Sequence, residues 1–366
     1  MRQTIDAAAF QQMVIHAAAA IRAEKQRIND LNVFPVPDGD TGTNMSLSIG
    51  AAAAEMKKQS FDTVGKAAQA TASALLRGAR GNSGVILSLL FRGFAKAIKE
   101  RETMDGRDLA IALDFGVAAA YKAVMKPAEG TILTVSRLAA ARAAGAARED
   151  NCFEAVLEAA IQEGQLALAD TVNQNPVLKK AGVVDAGGAG FLLILQGMLN
   201  EVRGEEMPAD EEPAQAEKAD FGAIPAEDIT FAFDTVFIVR KPSPNVNLEP
   251  FRTYLNGIGD SLVIGEDDEA FKVHVHTNIP GAALTEAQKY GTLELAKIEN
   301  MRTQAEDLAA GRHVQSTDDL DAVEQELERG AAMPEEPVKA APEKKYGYVA
   351  VCAGAGLEAV FKDLGV

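Results

Sequence analysis

The first 200 residues repeat small apolar side chains at helical spacing. Between residues 6 and 29 these side chains recur three, four, seven and eight positions apart, which predicts an amphipathic helix. Alanine-rich segments of the same kind predict further helices near 44–58, 62–77, 85–100, 107–125, 131–146, 153–170 and 191–202. No segment before residue 200 alternates like a strand. The pattern predicts an all-α domain of about eight helices over residues 1–202.

After residue 228 the pattern changes to short β-branched and aromatic runs. Strands are predicted at 231–239, 261–265 and 271–276, and helices at 247–257 and 280–290. This alternation is typical of a small α+β domain, which we assign to residues 229–312.

Two segments rich in glutamate, alanine and proline separate these parts. Residues 203–228 and 313–345 are predicted to be acidic linkers. Residues 346–366 predict a strand, a turn and a helix. Because a parallel strand needs neighbours on both sides, this βα unit is expected to open a truncated α/β domain. The predicted fold class is therefore multidomain: an all-α domain, a small α+β domain and the start of an α/β domain.

Charge and cysteine content narrow the class of protein further. The formal net charge of the 366 residues is −17, of which residues 201–228 supply −8 and residues 316–345 supply −5. This acidity argues against binding nucleic acid or an anionic membrane. Cys152 and Cys352 have no partner at motif spacing, and no signal-peptide or membrane-spanning run is present. We therefore expect a cytoplasmic protein without a transmembrane segment.

The most informative loop is Asp38-Gly-Asp-Thr-Gly-Thr-Asn44, which follows Pro35 and Pro37. Asp38 and Asp40 offer hard oxygen ligands, and a helix is predicted to begin at Asn44 with its free amides facing them. Carboxylates, hydroxyls and a helix N-terminus together suit Mg²⁺ and phosphate. Asp-Gly-Asp is also common in ordinary turns, and this loop alone leaves that alternative open. A second glycine loop between two helices, Gly78-Ala-Arg-Gly-Asn-Ser-Gly84, favours the phosphate interpretation.

A second group of candidate residues lies on the predicted strand 271–276. His274 and His276 point to the same face, about 7 Å apart along the strand, with Lys272 on that side too. Two imidazoles on one face suit a metal site or a site that stabilises charge. Asp234 on the preceding strand is the best candidate for a third ligand. The alternative is a solvated polar strand face.

Four segments in order resemble the ATP-binding large subunit of bacterial fatty acid kinase, whose N-terminal domain is similar to the L-type nucleotide domain of dihydroxyacetone kinases. They are residues 31–45, 78–84, 184–188 and 272–281, and the resemblance runs over 1–312 and resumes at 346. It implies an all-α helical barrel that holds ATP and Mg²⁺, a middle domain, and a C-terminal domain that recruits a fatty-acid-binding partner subunit. It also implies a homodimer.

The resemblance also implies roles for individual residues. The implied Mg²⁺ ligands are Asp38, Asp40 and Asn32, and the implied phosphate contacts are Thr41, Gly42, Thr43, Asn44, Gly81, Asn82, Ser83 and Gly84. Asp185 is expected near the nucleotide, with a simple helix cap as an equal alternative. The family pairs the two histidines with a cysteine in a zinc-type site, and here Asp234 stands at that position. Carboxylate binds Zn²⁺ more weakly than thiolate in such a setting, so the presence of the metal is left open.

The implied reaction is phosphoryl transfer from ATP to a fatty acid carboxylate, giving an acyl phosphate. This acceptor is already ionised at neutral pH and needs no general base, so Mg²⁺, helix N-termini and Arg80 are expected to neutralise the developing charge. His274 and His276 are expected either to close the site over the acceptor or to act structurally. Two alternatives are a nucleotide-responsive scaffold without turnover and a dihydroxyacetone-kinase-like phosphotransfer subunit.

Overall fold

The structure is a computed structural model that describes residues 1–208 and 229–309. Most of the predicted linker 203–228, the linker 313–345 and the βα unit 346–366 lie outside the described residues. Of the described helices, none combines the length and the apolar composition that crossing a lipid bilayer requires.

Eight helices of 15 or more residues form the N-terminal part of the described chain. With two short helices, the elements are α1 (Ala7–Ala23), α2 (Lys25–Asn29), α3 (Thr41–Lys58), α4 (Val64–Gly78), α5 (Gly81–Ala97), α6 (Gly106–Ala123), α7 (Ile132–Glu149), α8 (Phe153–Gln174), α9 (Pro176–Ala181) and α10 (Ala186–Arg203). Each long helix packs on the next, and α10 packs on both α8 and α1. The long helices thus close a ring, which confirms the predicted all-α barrel; we call it the helical ring.

Small residues allow the helices of the ring to approach closely. A Cβ on Gly93 of α5 would clash with the carbonyl oxygen of Phe115 in α6, and one on Gly116 would clash with that of Leu90. The interior is filled by larger apolar side chains, with the Phe10 and Phe94 rings 6.0 Å apart and nearly parallel. Alanine and glycine at the contacts therefore compensate for the low aromatic content.

Three helices begin earlier than their apolar patterns predict. Helix α3 begins at Thr41 instead of Asn44, α5 at Gly81 instead of 85, and α10 at Ala186 instead of 191. The first turns of these helices are polar and glycine-rich, so apolar spacing does not reveal them. A single helix over 6–29 was also wrong, because the chain turns at Glu24 and α2 packs on α3.

The described part of the C-terminal region is a four-stranded antiparallel sheet with three helices, which we call the sheet domain. Its elements are β1 (Phe233–Arg240), α11 (Glu249–Ile258), β2 (Gly259–Glu266), β3 (Ala270–Thr277), α12 (Pro280–Ala287), β4 (Thr292–Asn300) and α13 (Met301–Ala309). The strand order is β2-β3-β1-β4. This confirms the predicted small α+β unit. Strand β4 and α13 were not predicted, because β4 is an exposed edge strand that carries three charged residues.

The two faces of the sheet differ in chemistry. One face is a hydrophobic core in which Phe237, Phe271 and Val273 pack against Phe251 of α11. On the opposite face, β3 presents Lys272, His274 and His276. Cross-strand pairing places Asp234 of β1 beside His276, and Glu299 of β4 beside Asp234. This second face is turned toward the helical ring, as the hydrogen bond from Lys272 Nζ to the carbonyl oxygen of Arg77 shows.

Candidate functional site

A cavity of about 430 Å³ lies between the helical ring and the polar face of the sheet domain. We call it the central cavity. It brings together the aspartate loop, the second glycine loop and the histidine strand, which are far apart in the sequence. Its lining includes Asn32, Asp38, Asp40, Thr41, Asn44, Asn82, Ser83, Asp185, Asp234, His274 and His276. Eleven of the sixteen residues selected from the sequence therefore share one cavity.

Four helices of the ring begin at this cavity. The lining includes Thr41 at the start of α3, Ser83 in the first turn of α5, Ile132 at the start of α7 and Gly187 in the first turn of α10. Each helix N-terminus carries a partial positive charge and unpaired amides that favour phosphate groups. The start of α7, with Thr131 as its N-cap, was missed as part of the site, although Gly130-Thr131 before a helix resembles the other glycine loops.

The aspartate pair lies directly before α3. Asn32 donates its amide to Asp38 Oδ1, while Asn32 Oδ1 accepts a hydrogen bond of 2.8 Å from the Thr41 hydroxyl. Burial raises the pKa of Asp38 well above its usual range, and the nearby charges of Asp40 and Asp234 raise it further. Burial also raises the pKa of Asp40, against a hydrogen bond from Asn44. Two buried carboxylates held side by side favour a bound cation.

The sheet domain adds a third carboxylate to this pair. Burial raises the pKa of Asp234 well above its usual range, with Asp40 and Glu299 as the next causes. The carboxylates of Asp38, Asp40 and Asp234 are thus close enough to repel one another across the boundary between the two domains. Such an arrangement of like charges is costly unless a cation or a proton neutralises it.

Asp234 also belongs to a cluster with the two histidines. Its carboxylate, His274 and His276 offer ligand atoms that all lie within 4.8 Å of one another. His274 Nδ1 lies 3.2 Å from Asp234 Oδ1, yet these two atoms and His274 Nε2 are buried without hydrogen-bond geometry to any described residue. Orphaned buried ligand atoms that converge in this way fit a metal ion, as two imidazoles and a carboxylate do in many proteins.

Both imidazoles are buried, which excludes the solvated polar face considered from the sequence. The ring centroids are 4.9 Å apart. Burial lowers the pKa of His274 well below its usual range, helped by the positive charges of His276, Lys272 and Lys297, and it lowers the pKa of His276 to about 4. The rings are therefore neutral at physiological pH, which is the form that binds metals.

Five of the residues selected from the sequence lie outside the described lining of the cavity. Gly42 packs against the carbonyl oxygen of Lys25, and Thr43 exchanges hydrogen bonds of 3.0 Å with Asn29, so both hold α2 against α3. The other three belong to the second glycine loop and are Arg80, Gly81 and Gly84.

The second glycine loop packs tightly on α3. Gly81 has a positive φ of 55°, and a Cβ there would clash with the Asn44 amide. The Arg80 N–H donates a hydrogen bond of 3.0 Å to Ser48 Oγ, and a Cβ on Gly84 would clash with the same oxygen. These residues thus position the loop that carries Asn82 and Ser83.

Asp185 combines the two roles considered for it. Its carboxylate accepts a hydrogen bond of 2.7 Å from the Gly188 N–H as the N-cap of α10, and it also lines the central cavity. Burial raises its pKa to about 7 against these backbone hydrogen bonds.

Two basic residues of the sheet domain lie beside the carboxylates. Lys297 Nζ lies 3.1 Å from Glu299 Oε1, with both side chains nearly buried, and its positive charge lowers the pKa of Asp234. Lys272 donates hydrogen bonds to the carbonyl oxygens of Arg77 and Ala79 at the end of α4, and burial lowers its pKa to about 7. Lys297 and Glu299 were missed with β4, although their alternate spacing is a strand signal.

Two family models match the chain. The model described as the DAK2 domain matches residues 35–200. The model described as the FakA-like middle domain of fatty acid kinases matches residues 230–308. The two matches correspond to the helical ring and the sheet domain.

Several curated relatives are similar to this chain. The protein YloV of Bacillus subtilis is 39% identical over 373 residues, which cover 99% of this chain and 64% of the relative. An uncharacterised protein of Staphylococcus saprophyticus is 38% identical over 374 residues, covering 100% of this chain and 64% of the relative. One of Staphylococcus haemolyticus is 43% identical over 313 residues, covering 83% and 56%. The chain thus spans less than two thirds of the length of these relatives.

Among solved structures, the crystal structure of the dihydroxyacetone kinase of C. freundii in its native form matches with a TM-score of 0.42 and 19% identity. This match covers 55% of this chain and 35% of that chain.

Proposed function

Because the chain belongs to the family that joins a DAK2 domain to a FakA-like middle domain of fatty acid kinases, we propose that it is the ATP-binding subunit of a fatty acid kinase. In this proposal it transfers the γ-phosphoryl group of ATP to the carboxylate of a fatty acid held by a separate fatty-acid-binding partner protein. The product is an acyl phosphate. A homodimeric state and a cytoplasmic location belong to the same proposal and rest on the resemblance and the composition.

The observation that carries the proposal is the convergence of two kinds of charge on the central cavity. Four helix N-termini offer partial positive charge to phosphate groups, and three buried carboxylates offer oxygen ligands to a cation. A metal–nucleotide complex carries the opposite charges in the same proximity. The apolar part of the lining, which includes Ile86, Val124 and Leu133, suits a nucleobase.

Asp38 and Asp40 are the residues that would hold Mg²⁺. Both are buried, and their raised pKa values reflect a site whose carboxylates lack full compensation within the protein. Asn32 orients Asp38 through its amide and Thr41 through its oxygen, so it acts on the ligands by hydrogen bonding. Bound Mg²⁺ would neutralise charge on the β- and γ-phosphates.

Asp234, His274 and His276 would hold a second divalent cation. The fit rests on the orphaned Asp234 Oδ1 and His274 nitrogens, which converge in a buried position within the described residues. Such a cation would act as a Lewis acid near the acceptor. With a carboxylate in place of a thiolate, the affinity of this site for Zn²⁺ is expected to be moderate.

The transfer needs no proton acceptor. A carboxylate oxygen of the fatty acid forms a bond to the γ-phosphorus as the bond from that phosphorus to the β–γ bridging oxygen breaks, and ADP leaves with the electron pair. The neutral state of both imidazoles agrees with a reaction in which no base is required. Lys297 and the helix N-termini would stabilise the negative charge that develops on the equatorial oxygens.

Nucleotide binding can be tested with this chain directly. We would titrate Mg²⁺ and a non-hydrolysable ATP analogue into the protein by calorimetry and compare Asp38→Ala and Asp40→Ala. Each substitution is expected to weaken binding by about tenfold or more, since each removes a metal ligand. Asp62→Ala is the matched control, because Asp62 is an exposed acid of the ring that pairs with Lys66. Binding that ignores both loop aspartates would refute the nucleotide site.

The acceptor needs a separate measurement. A full-length relative with a fatty-acid-loaded partner protein should convert ATP to ADP and form acyl phosphate, which hydroxylamine traps as a hydroxamate. Nucleotide binding without any acyl phosphate would contradict the kinase and favour the nucleotide-responsive scaffold.

A further inference from the structure

A second cavity of about 440 Å³, the side cavity, adjoins the central cavity. The two share five lining residues, which are Pro35, Val36, Asp260, Ser261 and His276. His276 therefore faces both spaces, and Pro35 and Val36 form part of the wall between them. The side cavity gives the site a second approach, from the side of α9 and the segment before β1.

The junction of the two cavities has an unusual backbone. Ser261 has a φ of 52°, and it is the one non-glycine residue of the described chain with a positive φ. It lies in an irregularity of the β2–β3 pairing between Asp260 and Val263. A strained serine in a β-bulge is more common at functional sites than elsewhere. Here the bulge places Ser261 on the lining of both cavities.

The central cavity already provides for a whole nucleotide. It has carboxylates for a cation, helix N-termini for phosphates and an apolar end for a base. Phosphoryl transfer needs its acceptor roughly in line with the leaving group, so the acceptor has to approach the γ-phosphoryl group from another direction. The side cavity offers such a direction, because it opens at His276 and not at the apolar end.

The chemistry of the side cavity fits an aliphatic carboxylate. Most of its lining residues are aliphatic, aromatic or proline, and they are Val33, Pro35, Val36, Pro37, Pro176, Val177, Ile229 and Phe231. Lys180 is the cationic residue of this lining, and Ser261 and His276 lie at its inner end. Asp260 is the one acid there, and it lies between His276, 3.6 Å away, and the positive charge of Lys126.

We propose that the side cavity is the acceptor entrance, which receives the carboxylate and the adjoining methylene groups of an acyl chain and presents them past Ser261 and His276 to the central cavity. This inference rests on the proposed kinase function and adds to it the location of the second substrate.

The test uses binding, so that it does not depend on turnover. Sodium decanoate is titrated by calorimetry into the chain saturated with Mg²⁺ and a non-hydrolysable ATP analogue. Saturable binding is expected, and Val177→Glu should weaken it by about tenfold or more because an acid would stand on the apolar wall. Val177 occupies the first turn of α9, where an acidic side chain is compatible with the helix.

The controls separate the side cavity from other sites. Val172→Glu introduces the same charge at a half-buried position of α8 outside both cavities and should leave decanoate binding unchanged. Lys180→Glu changes an exposed side chain without threatening the fold and should also weaken decanoate binding.

Three outcomes would overturn the inference. They are the absence of saturable decanoate binding, equal binding to the Val177→Glu and unaltered chains, and competition between decanoate and the nucleotide. In each case, nucleotide binding that still depends on Asp38 and Asp40 would leave the proposed nucleotide site intact, so the two failures can be told apart.

Discussion

Lys272 of the sheet domain donates a hydrogen bond of 3.1 Å to the carbonyl oxygen of Arg77 at the end of α4. Its Nζ also bonds the carbonyl oxygen of Ala79, the residue that leads into the second glycine loop. Because Lys272, His274 and His276 share one face of β3, this contact fixes the histidine row relative to the loop that carries Asn82 and Ser83. A buried lysine here therefore joins the two halves of the site.

Removing this amine should loosen the glycine loop. In Lys272→Met the two carbonyl oxygens at the end of α4 lose their donor, and we expect a loss of about 1–3 kcal/mol in the free energy of unfolding. Hydrogen exchange should increase over residues 77–84. Arg77→Ala is the control, since it removes only the exposed ion pair with Glu269, whose contribution is about 0–1 kcal/mol. Equal exchange in both variants would mean that Lys272 does not hold the loop.

Asp185 should make stability depend on pH. Burial raises its folded-state pKa to about 7 from the ordinary value of 3.8. The folded state then binds a proton that the unfolded state has lost, so this contribution is fully present below about pH 4 and is lost as the pH rises toward 7. Asp185→Asn keeps an N-cap acceptor but cannot titrate. The difference in unfolding free energy between the two proteins, measured from pH 4 to 8, should shift in favour of the variant as the pH rises.

A flat difference over that range would contradict the buried state of Asp185. Asp170→Asn serves as a control, because Asp170 is fully exposed and should alter the pH dependence little.

Gly81 should tolerate no side chain. Its φ of 55° costs an alanine about 1 kcal/mol, and the added Cβ would clash with the Asn44 amide. Because Asn44 bonds Asp40, we expect Gly81→Ala to weaken Mg²⁺–nucleotide binding as well as the fold. Gly145→Ala in the interior of α7 has room for its Cβ, and it should stabilise the protein by about 0.5–1 kcal/mol. Unchanged nucleotide affinity in Gly81→Ala, measured by calorimetry, would show that this contact is not coupled to the site.

Local patterns predicted the fold better than they predicted the assembly of the site. Apolar spacing is sufficient for eight long helices, since each has a wide apolar stripe, and His274 and His276 could be assigned to one face by their spacing alone. The starts of α3, α5 and α10 were placed too late because glycine and hydroxyl residues carry no apolar signal. Strand β4 was missed because it is an edge strand, and Lys297 and Glu299 were missed with it.

Contact between the two domains was beyond the reach of sequence patterns. Nothing in the spacing of Asp38 and Asp234, which are almost 200 positions apart, indicates that their charges meet. That proximity depends on how the polar face of the sheet docks on the ring, through contacts such as Lys272 with Arg77 and Arg252 with the carbonyl oxygen of Ala123. Tertiary packing of this kind has no local signature.

Asp234 should determine which metal the histidine pair prefers. Replacing it in Asp234→Cys supplies a thiolate beside two neutral imidazoles, and we expect the affinity for Zn²⁺ to rise by about tenfold or more, since thiolate is the stronger ligand for this ion. Asp234→Ala should lower it instead. Competition with a chromophoric zinc chelator measures both changes. Asp260→Cys is the matched control, because Asp260 lies near His276 but outside the triad. An equal gain in Asp260→Cys, or no gain in Asp234→Cys, would show that Asp234 is not the third ligand and that its carboxylate serves the Asp38–Asp40 pair alone.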